Sequence, residues 1–375
     1  MRVLPMVYGG PFGKSIRRRV SELHHGIPDG RLDEAVGEAR IRLAGRHSRR
    51  AADPSMHRDT DVAVTLVLFP GALGDFICLL PTLAVLRQRH RGRPLVAVVQ
   101  ARLCDLACRG GVADAAVAIE SRDVARLFVA DAGPPDDLVP GRRVAAVYSW
   151  MASGDATVRA NLERLADGDV HCLPFALPPA WAHHAARHFL TSAGIAAEGP
   201  PVGGCIVCTG AETSHALELM RARGLSDHRV LALHRGAGSV RKRWADAGFA
   251  AVSAWWRSNG GVVVEISGPA DPPEPLHREH ALVRAPALGV LAAVLALVDL
   301  FVGGDSGVAH LAGAVGATGV VIFGPTRARI WRPLGGRLVC LTAVETTGAG
   351  GISVDDVRVR QVIRTLGVLG RAASP

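Results

Sequence analysis

From residue 61 onward, short apolar runs alternate with stretches whose apolar residues recur at helical spacing. Asp61-Val-Ala-Val-Thr-Leu-Val-Leu-Phe69, Leu95-Val-Ala-Val-Val99 and Val144-Ala-Ala-Val-Tyr148 have almost no polar face, the pattern of parallel strands covered on both sides. Helical patterns lie between and after them: from Asp75 to about His90, near Leu103 to Arg109, around Asp155–Ala166 and around Ala180–Ala193. A second series starts at the strand Arg229–His234. It continues through a helix at Phe249–Ser258, a strand at Gly261–Ser267, a helix at Leu288–Leu297 and a strand at Leu300–Val302. A small-residue helix carrying His310, the strand Val320–Phe323 and a last helix at Val354–Leu369 complete it. Such βαβ alternation predicts an α/β chain with parallel sheets. We divide it into an extension at 1–60, one Rossmann-like domain at 61–225, a second at 226–350 and a terminal segment at 351–375.

At 375 residues, 49% of them apolar, the chain can bury two cores of ordinary size. The net charge is +9; residues 1–60 hold 12 basic and 7 acidic side chains (+5), and the remainder holds 31 and 27 (+4). The first segment, with Gly and Pro in its first thirty residues, reads as a basic, mostly flexible arm able to touch an anionic membrane surface. A diffuse positive field suits anionic small molecules or glycolipids. Few aromatics and no nucleic-acid motif argue against nucleic acid. Gly9–Ser15 imitates a phosphate loop, but Tyr8 stands where that motif needs Gly and no apolar strand precedes it. Seven Cys without a disulfide framework fit a reducing cytoplasm, and Cys205-Ile-Val-Cys208 reads as buried thiols rather than as a metal site. No secretory signal is visible, and the apolar run Ala287–Val298 is too short to span a bilayer.

Three Gly-rich turns carry the chemistry. Gly71-Ala-Leu-Gly-Asp75 follows the first strand and lacks the G-x-G-x-x-G pattern of dinucleotide enzymes. Asp75 there is either a helix cap or a base. Gly236-Ala-Gly-Ser-Val-Arg-Lys-Arg-Trp244 follows the second domain's first strand. Its Lys242 is one of two Lys among 41 Arg, the other being Lys14. It is either part of a solvated basic loop or an ammonium set against phosphate. Gly303-Gly-Asp-Ser-Gly307 ends a strand and opens the helix of His310, where free N–H groups suit an anion. Asp305 or Ser306 can cap that helix, and His310 is either a phosphate donor or a packed ring. Gly324-Pro-Thr326 follows the next strand, at the carboxyl edge where ligands of parallel sheets sit. Asp271, just after the strand ending at Ser267, is better placed than Glu265 to meet a ribose.

Taken together and in order, Gly71–Pro81, Gly236–Trp244, Gly304-Asp-Ser-Gly-Val-Ala-His-Leu-Ala312 and Phe323-Gly-Pro-Thr326 resemble glycosyltransferase family 9, the ADP-heptose:lipopolysaccharide heptosyltransferases. The resemblance spans roughly residues 62–340. It implies a GT-B fold, two Rossmann-like domains facing across a cleft, with a C-terminal helix packed back on the first. It implies an inverting, metal-independent transfer, no tightly held cofactor, and a nucleoside diphosphate sugar such as ADP-heptose as co-substrate. The acceptor would be a glycan or glycolipid hydroxyl, met by first-domain loops in which Arg102, Arg122, Arg126 and Arg159 are candidates. Asp75 takes the family's base position, and Lys242 its diphosphate-binding position. Gly74, Ser239, Asp271, Asp305, Ser306, Gly307, His310, Gly324 and Thr326 make up the donor side. The loop departs from the family at Arg235 and Ala245, where Pro is common. Two other readings share the architecture: a non-catalytic nucleotide-sugar-binding protein and a nucleotide-sugar epimerase.

Overall fold

The computed structural model describes residues 63–109, 112–130, 138–196, 203, 205–269, 271, 274–342 and 353–371. The extension at 1–60 lies outside the described residues. The first sheet holds β1 (Val64–Leu68), β2 (Leu95–Val99), β3 (Ala115–Ala118), β4 (Val144–Ser149) and β5 (Ala166–Cys172), in the order β3-β2-β1-β4-β5. All its pairings are parallel. β1 sits at the centre with every residue buried, as a strand covered on both faces requires. The helices α1 (Leu73–Arg89), α2 (Cys104–Ala107), α3 (Arg122–Arg126), α4 (Ala156–Leu165) and α5 (Ala185–Ser192) connect and cover it.

The second sheet repeats the plan. Its strands are β6 (Val230–His234), β7 (Val262–Ser267), β8 (Ala281–Arg284), β9 (Leu300–Gly304), β10 (Thr318–Phe323) and β11 (Arg337–Thr342), ordered β11-β10-β9-β6-β7-β8 and all parallel. Its helices are α6 (Gly210–Ala222), α7 (Asp246–Ser258), α8 (Leu288–Leu297), α9 (Gly307–Ala314), α10 (Ala328–Trp331) and α11 (Val359–Arg371). Two Rossmann-like halves of this kind are the GT-B arrangement. One apolar cluster runs through both, from Val67, Phe76 and Phe189 to Leu291, Leu311 and Phe323.

Two boundaries differ from the expected ones. α6 lies before residue 226 yet packs on α8, so the second half recruits chain from at least residue 210. The terminal helix, expected on the first domain, packs on the second. α11 lies on α7 and β10, burying Val362 and Leu366 against Leu231, Leu233, Val320 and Ile322 of the second sheet. The reason is local: the outer face of that sheet would otherwise leave these apolar side chains in water.

Candidate functional site

In each sheet the strand order reverses at one point, between β1 and β4 and between β6 and β9. Parallel sheets bind ligands outside the carboxyl ends at such points. Here the two points meet. α1, which follows β1, packs against α9, which follows β9. Glycines set the distance: a Cβ on Gly307 would lie 3.0 Å from Leu73 Cβ, and one on Gly74 would lie 3.1 Å from His310 Cδ2. Larger residues would wedge the helices apart.

The first sheet contributes Asp75. Its turn is tight because a Cβ on Gly71 would come within 2.4 Å of the Phe69 ring. Asp75 Oδ2 accepts a hydrogen bond from Ala72 N–H at 3.1 Å, so the side chain does satisfy the helix start. Burial raises its carboxyl above the ordinary aspartate value, against the opposing pull of the Ala72 amide and the Lys242 charge. Lys242 and Asp75 thus act on each other across the two halves of the molecule.

The second sheet contributes a polar network. Lys242 Nζ donates to Asp305 Oδ2 at 2.8 Å, and Thr326 Oγ1 donates to the same oxygen at 2.6 Å. Asp305 is only 6% exposed. The ammonium and hydroxyl are what make that buried charge tolerable. Asp305 does not cap α9; Ser306 does, its Oγ accepting from Ala309 N–H at 3.3 Å. Ser306 Oγ also lies 3.2 Å from His234 Nδ1. The other side of that ring, Nε2, is 3.4 Å from Asp271 Oδ2. Asp271 accepts from Gly268 N–H at 2.7 Å and has Arg243 at 3.9 Å. His234 first, then the Gly268 amide, hold its carboxyl below the usual range. The Asp271 carboxylate packs against Gly236, where a Cβ would approach to 2.2 Å.

Other expected site residues have different settings. Ser239 is exposed and forms the backbone turn under Lys242, whose N–H donates to Ser239 O at 3.0 Å. His310 is buried: it is 3% exposed, its Nδ1 is 3.8 Å from Cys78 Sγ, and burial holds it down to about 4, against the attraction of Asp305. It is neutral near pH 7. Gly324 is pressed against Val354, where a Cβ would come within 2.7 Å. Glu265 is an internal brace: it accepts from Arg235 Nε (2.9 Å) and Leu276 N–H (2.6 Å) and lies 2.6 Å from His280 Nδ1. Arg235 therefore has its own anchor.

Of the four acceptor-side arginines, Arg102 donates to Gln100 Oε1 at 3.0 Å, and Gln100 donates to Pro70 O at 3.2 Å beside the Asp75 turn. Arg159 is turned to Glu163 at 3.7 Å on its own helix. Arg122 and Arg126 lie on α3. Cys205, expected to be buried, is exposed; Cys208 is half-buried, and burial pushes its thiol up to about 11. Among the described residues no three His, Cys, Asp or Glu side chains gather so as to hold a metal ion. Nor is any described helix long and apolar enough to cross a membrane. His234 was not singled out from sequence. The only local signal was a histidine ending a buried strand immediately before a Gly-rich loop.

Residues 201–349 match the family model of glycosyltransferase family 9 (heptosyltransferase). The matched stretch contains Lys242, Asp305 and Thr326 but not Asp75. Among solved structures, the fold is similar to a glycosyl transferase family 9 protein from Veillonella parvula, with a TM-score of 0.70 and 19% identity over 83% of this chain and 98% of that one. It is also similar to the E. coli ADP-heptose lps heptosyltransferase II, with a TM-score of 0.66 and 16% identity over 82% and 98%. The E. coli heptosyltransferase WaaC, solved with ADP, gives 0.58 and 17% over 81% and 99%. No curated protein sequence matches the chain.

Proposed function

We propose that this chain, whose residues 201–349 match the glycosyltransferase family 9 (heptosyltransferase) model, moves a heptose from ADP-heptose to a glycan or glycolipid hydroxyl such as that of a lipopolysaccharide core, by a single in-line displacement that inverts the anomeric carbon. One observation carries the reading: a half-buried carboxylate from the first sheet, Asp75, and a lysine from the second, Lys242, converge where the two switch points meet. Asp75 takes the acceptor hydroxyl's proton as its oxygen bonds to the anomeric carbon. The bond from that carbon to the diphosphate oxygen breaks, and the leaving diphosphate keeps the electron pair. Lys242, held by Asp305, and the N–H groups at the start of α9 meet the charge that builds there. Asp305 and Thr326 act through Lys242: Thr326 spends its one proton on Asp305, and a carboxylate would repel a diphosphate.

The positive charge that the leaving group needs is supplied by the chain's own groups, so the proposed reaction requires no divalent ion. The test is transfer from ADP-heptose to heptose-free lipopolysaccharide core, followed by ADP release and by the configuration of the product. Activity should survive EDTA unchanged. Loss in EDTA with recovery in magnesium would overturn the metal-independent reading, and a retained anomeric configuration would overturn single displacement.

A further inference from the structure

Among the described residues one phenylalanine stands out in water: Phe128 is 48% exposed, and its neighbour Val129 is 54% exposed. The pair does not sit on a loose end. Asn161, buried on α4, donates from Nδ2 to both Leu127 O at 2.9 Å and Val129 O at 3.0 Å. Arg164 Nη1 donates to Asn161 Oδ1 at 2.8 Å, and Leu127 itself is fully buried. A buried amide spent on two loop carbonyls fixes the turn, so the fold holds the apolar pair outward. The turn ends α3, which carries Arg122 and Arg126, and lies on α4, which carries Arg159 and Arg164. Against these four cations the two helices hold Asp123 and Glu163, and Glu163 is 3.7 Å from Arg159. Both helices start at the carboxyl edge of the first sheet, α3 after β3 and α4 after β4. Asn161 stands along α4 about 8 Å from the helix start, so the tip lies close to the edge where Asp75 sits.

We propose that Phe128 and Val129 are a membrane anchor: they enter the interfacial layer of an anionic bilayer, the flanking arginines meet its headgroups, and the carboxyl edge with Asp75 is held at the surface where a glycolipid acceptor lies. The last clause rests on the acceptor reading above; the attachment does not. Size and charge select a bilayer as the occupant. A stable protein interface buries about 800 Å² on each partner, and two half-exposed side chains fall far short of that. A bilayer needs only a few apolar side chains beside a basic flank, each weak alone and firm together. Arginines near an anionic surface add attraction, whereas a second copy of this chain, itself at +9, is repelled. Asp131, Asp136 and Asp137 follow in the sequence, outside the described residues, and their charge opposes anionic lipid. The apolar pair therefore carries the attachment, and the arginines orient it. α11 supplies a comparison within the same molecule: it shows Arg360, Arg364 and Arg371 to solvent, with Val368 as its one exposed large apolar side chain.

The full chain is sedimented with vesicles of phosphatidylcholine and of phosphatidylcholine mixed with phosphatidylglycerol. The wild type should bind the mixed vesicles. Phe128→Ser combined with Val129→Ser should weaken that binding by about tenfold or more at an unchanged melting temperature. Arg360→Ser combined with Arg364→Ser, which removes charge from α11, should weaken it by much less. Phe128→Trp should bind and be quenched by brominated lipid tails beyond the wild-type signal, which a side chain merely near the surface would not be. Absence of wild-type binding, equal binding by the Phe128 and Val129 double variant, or no added quenching in Phe128→Trp overturns the proposal. So does an equal loss from the α11 variant, which would mean attraction of a positive chain to a negative surface without a site. Dimers abolished by the double variant, without vesicle binding, would give the tip to a second copy instead. Turnover tests the orienting role separately. On a soluble glycan acceptor the double variant should keep wild-type turnover, and on a vesicle-borne acceptor its KM should rise by about tenfold with kcat unchanged. An unchanged KM on vesicles overturns that role. If ADP-heptose is transferred to neither acceptor, the functional reading fails, and sedimentation and quenching still decide the anchor.

Discussion

At Asp75 one carboxylate closes the helix start and, in the proposed reaction, is also the base. Its Oδ2 accepts from Ala72 N–H, which leaves most of its lone pairs available. Burial raises the carboxyl above its ordinary value, and that sets two signs. A base must be ionised, so the rate should fall as pH drops through this raised value, higher than an ordinary aspartate would allow. For stability, a raised folded value favours the fold below the unfolded pKa and is lost as pH rises through the folded one. Asp75→Asn should therefore lower turnover by about 10²–10⁴, remove the acid limb and leave neutral-pH stability equal or higher. Near-wild-type turnover would remove Asp75 from the chemistry. At Lys242 the partner decides the outcome. Lys242→Ala leaves the buried Asp305 carboxylate to the Thr326 hydroxyl, so melting temperature and diphosphate affinity should fall together. Lys242→Arg should restore the first more than the second, because a planar guanidinium cannot reproduce a point charge at both partners. If ADP affinity is unchanged in Lys242→Ala, the phosphate role is wrong. Lys242 was legible in the sequence because it stands almost alone among arginines. The tasks of Asp305 and His234 were not, because their partners lie 63 and 72 residues away and meet them only in the fold.

Elements were legible in proportion to their burial. β1, β2, β6, β9 and β10 are covered on both faces and appear in the sequence as apolar runs. The outer strands were missed for the same reason in reverse. β5 reads Ala-Asp-Gly-Asp-Val-His-Cys and β11 reads Arg-Leu-Val-Cys-Leu-Thr, with one side open to water. The terminal segment was located as a helix but assigned to the wrong half, since amphipathicity shows that a face is buried and not against what. Its true position matters for the site. Trp244 Nε1 donates to Val357 O at 3.1 Å, and Ala245 N–H donates to Asp355 Oδ1 at 2.9 Å, tying the Lys242 loop to this segment. Val354 presses on Gly324 in the turn before Thr326. Leu366→Ala, at a fully buried position, should cost about 2–5 kcal/mol and also weaken nucleoside diphosphate binding. Val368→Ala, 55% exposed on the same helix, should do neither. A Leu366→Ala protein with reduced stability but full diphosphate affinity would show that the segment does not brace the loop.

On the scale of the whole molecule, two similar sheets joined only by a linker would melt separately. The contacts argue otherwise. The apolar cluster crosses from one sheet to the other, with α1 against α9. Polar links reinforce it: Arg109 Nη2 donates to Glu212 Oε1 at 2.5 Å, and His184 Nε2 meets Arg332 O at 2.8 Å. Separating the halves would expose the faces of both helices and leave Glu212, 12% exposed, without Arg109. Calorimetry should therefore show one transition, and a nucleoside diphosphate at a hundred times its Kd should raise the stability of the whole by about 2.7 kcal/mol although the proposed donor site lies mainly on the second sheet. His310 adds a pH dependence at this contact. Its folded value is depressed to about 4, so its contribution is present above the unfolded value of about 6.5 and is lost as pH falls through about 4. The single transition should move down between those limits, and His310→Gln should flatten that movement. Two resolved transitions, only one of them shifted by ligand, would mean that the cleft is a hinge between independent halves and that Asp75 meets Lys242 only when ligand closes it.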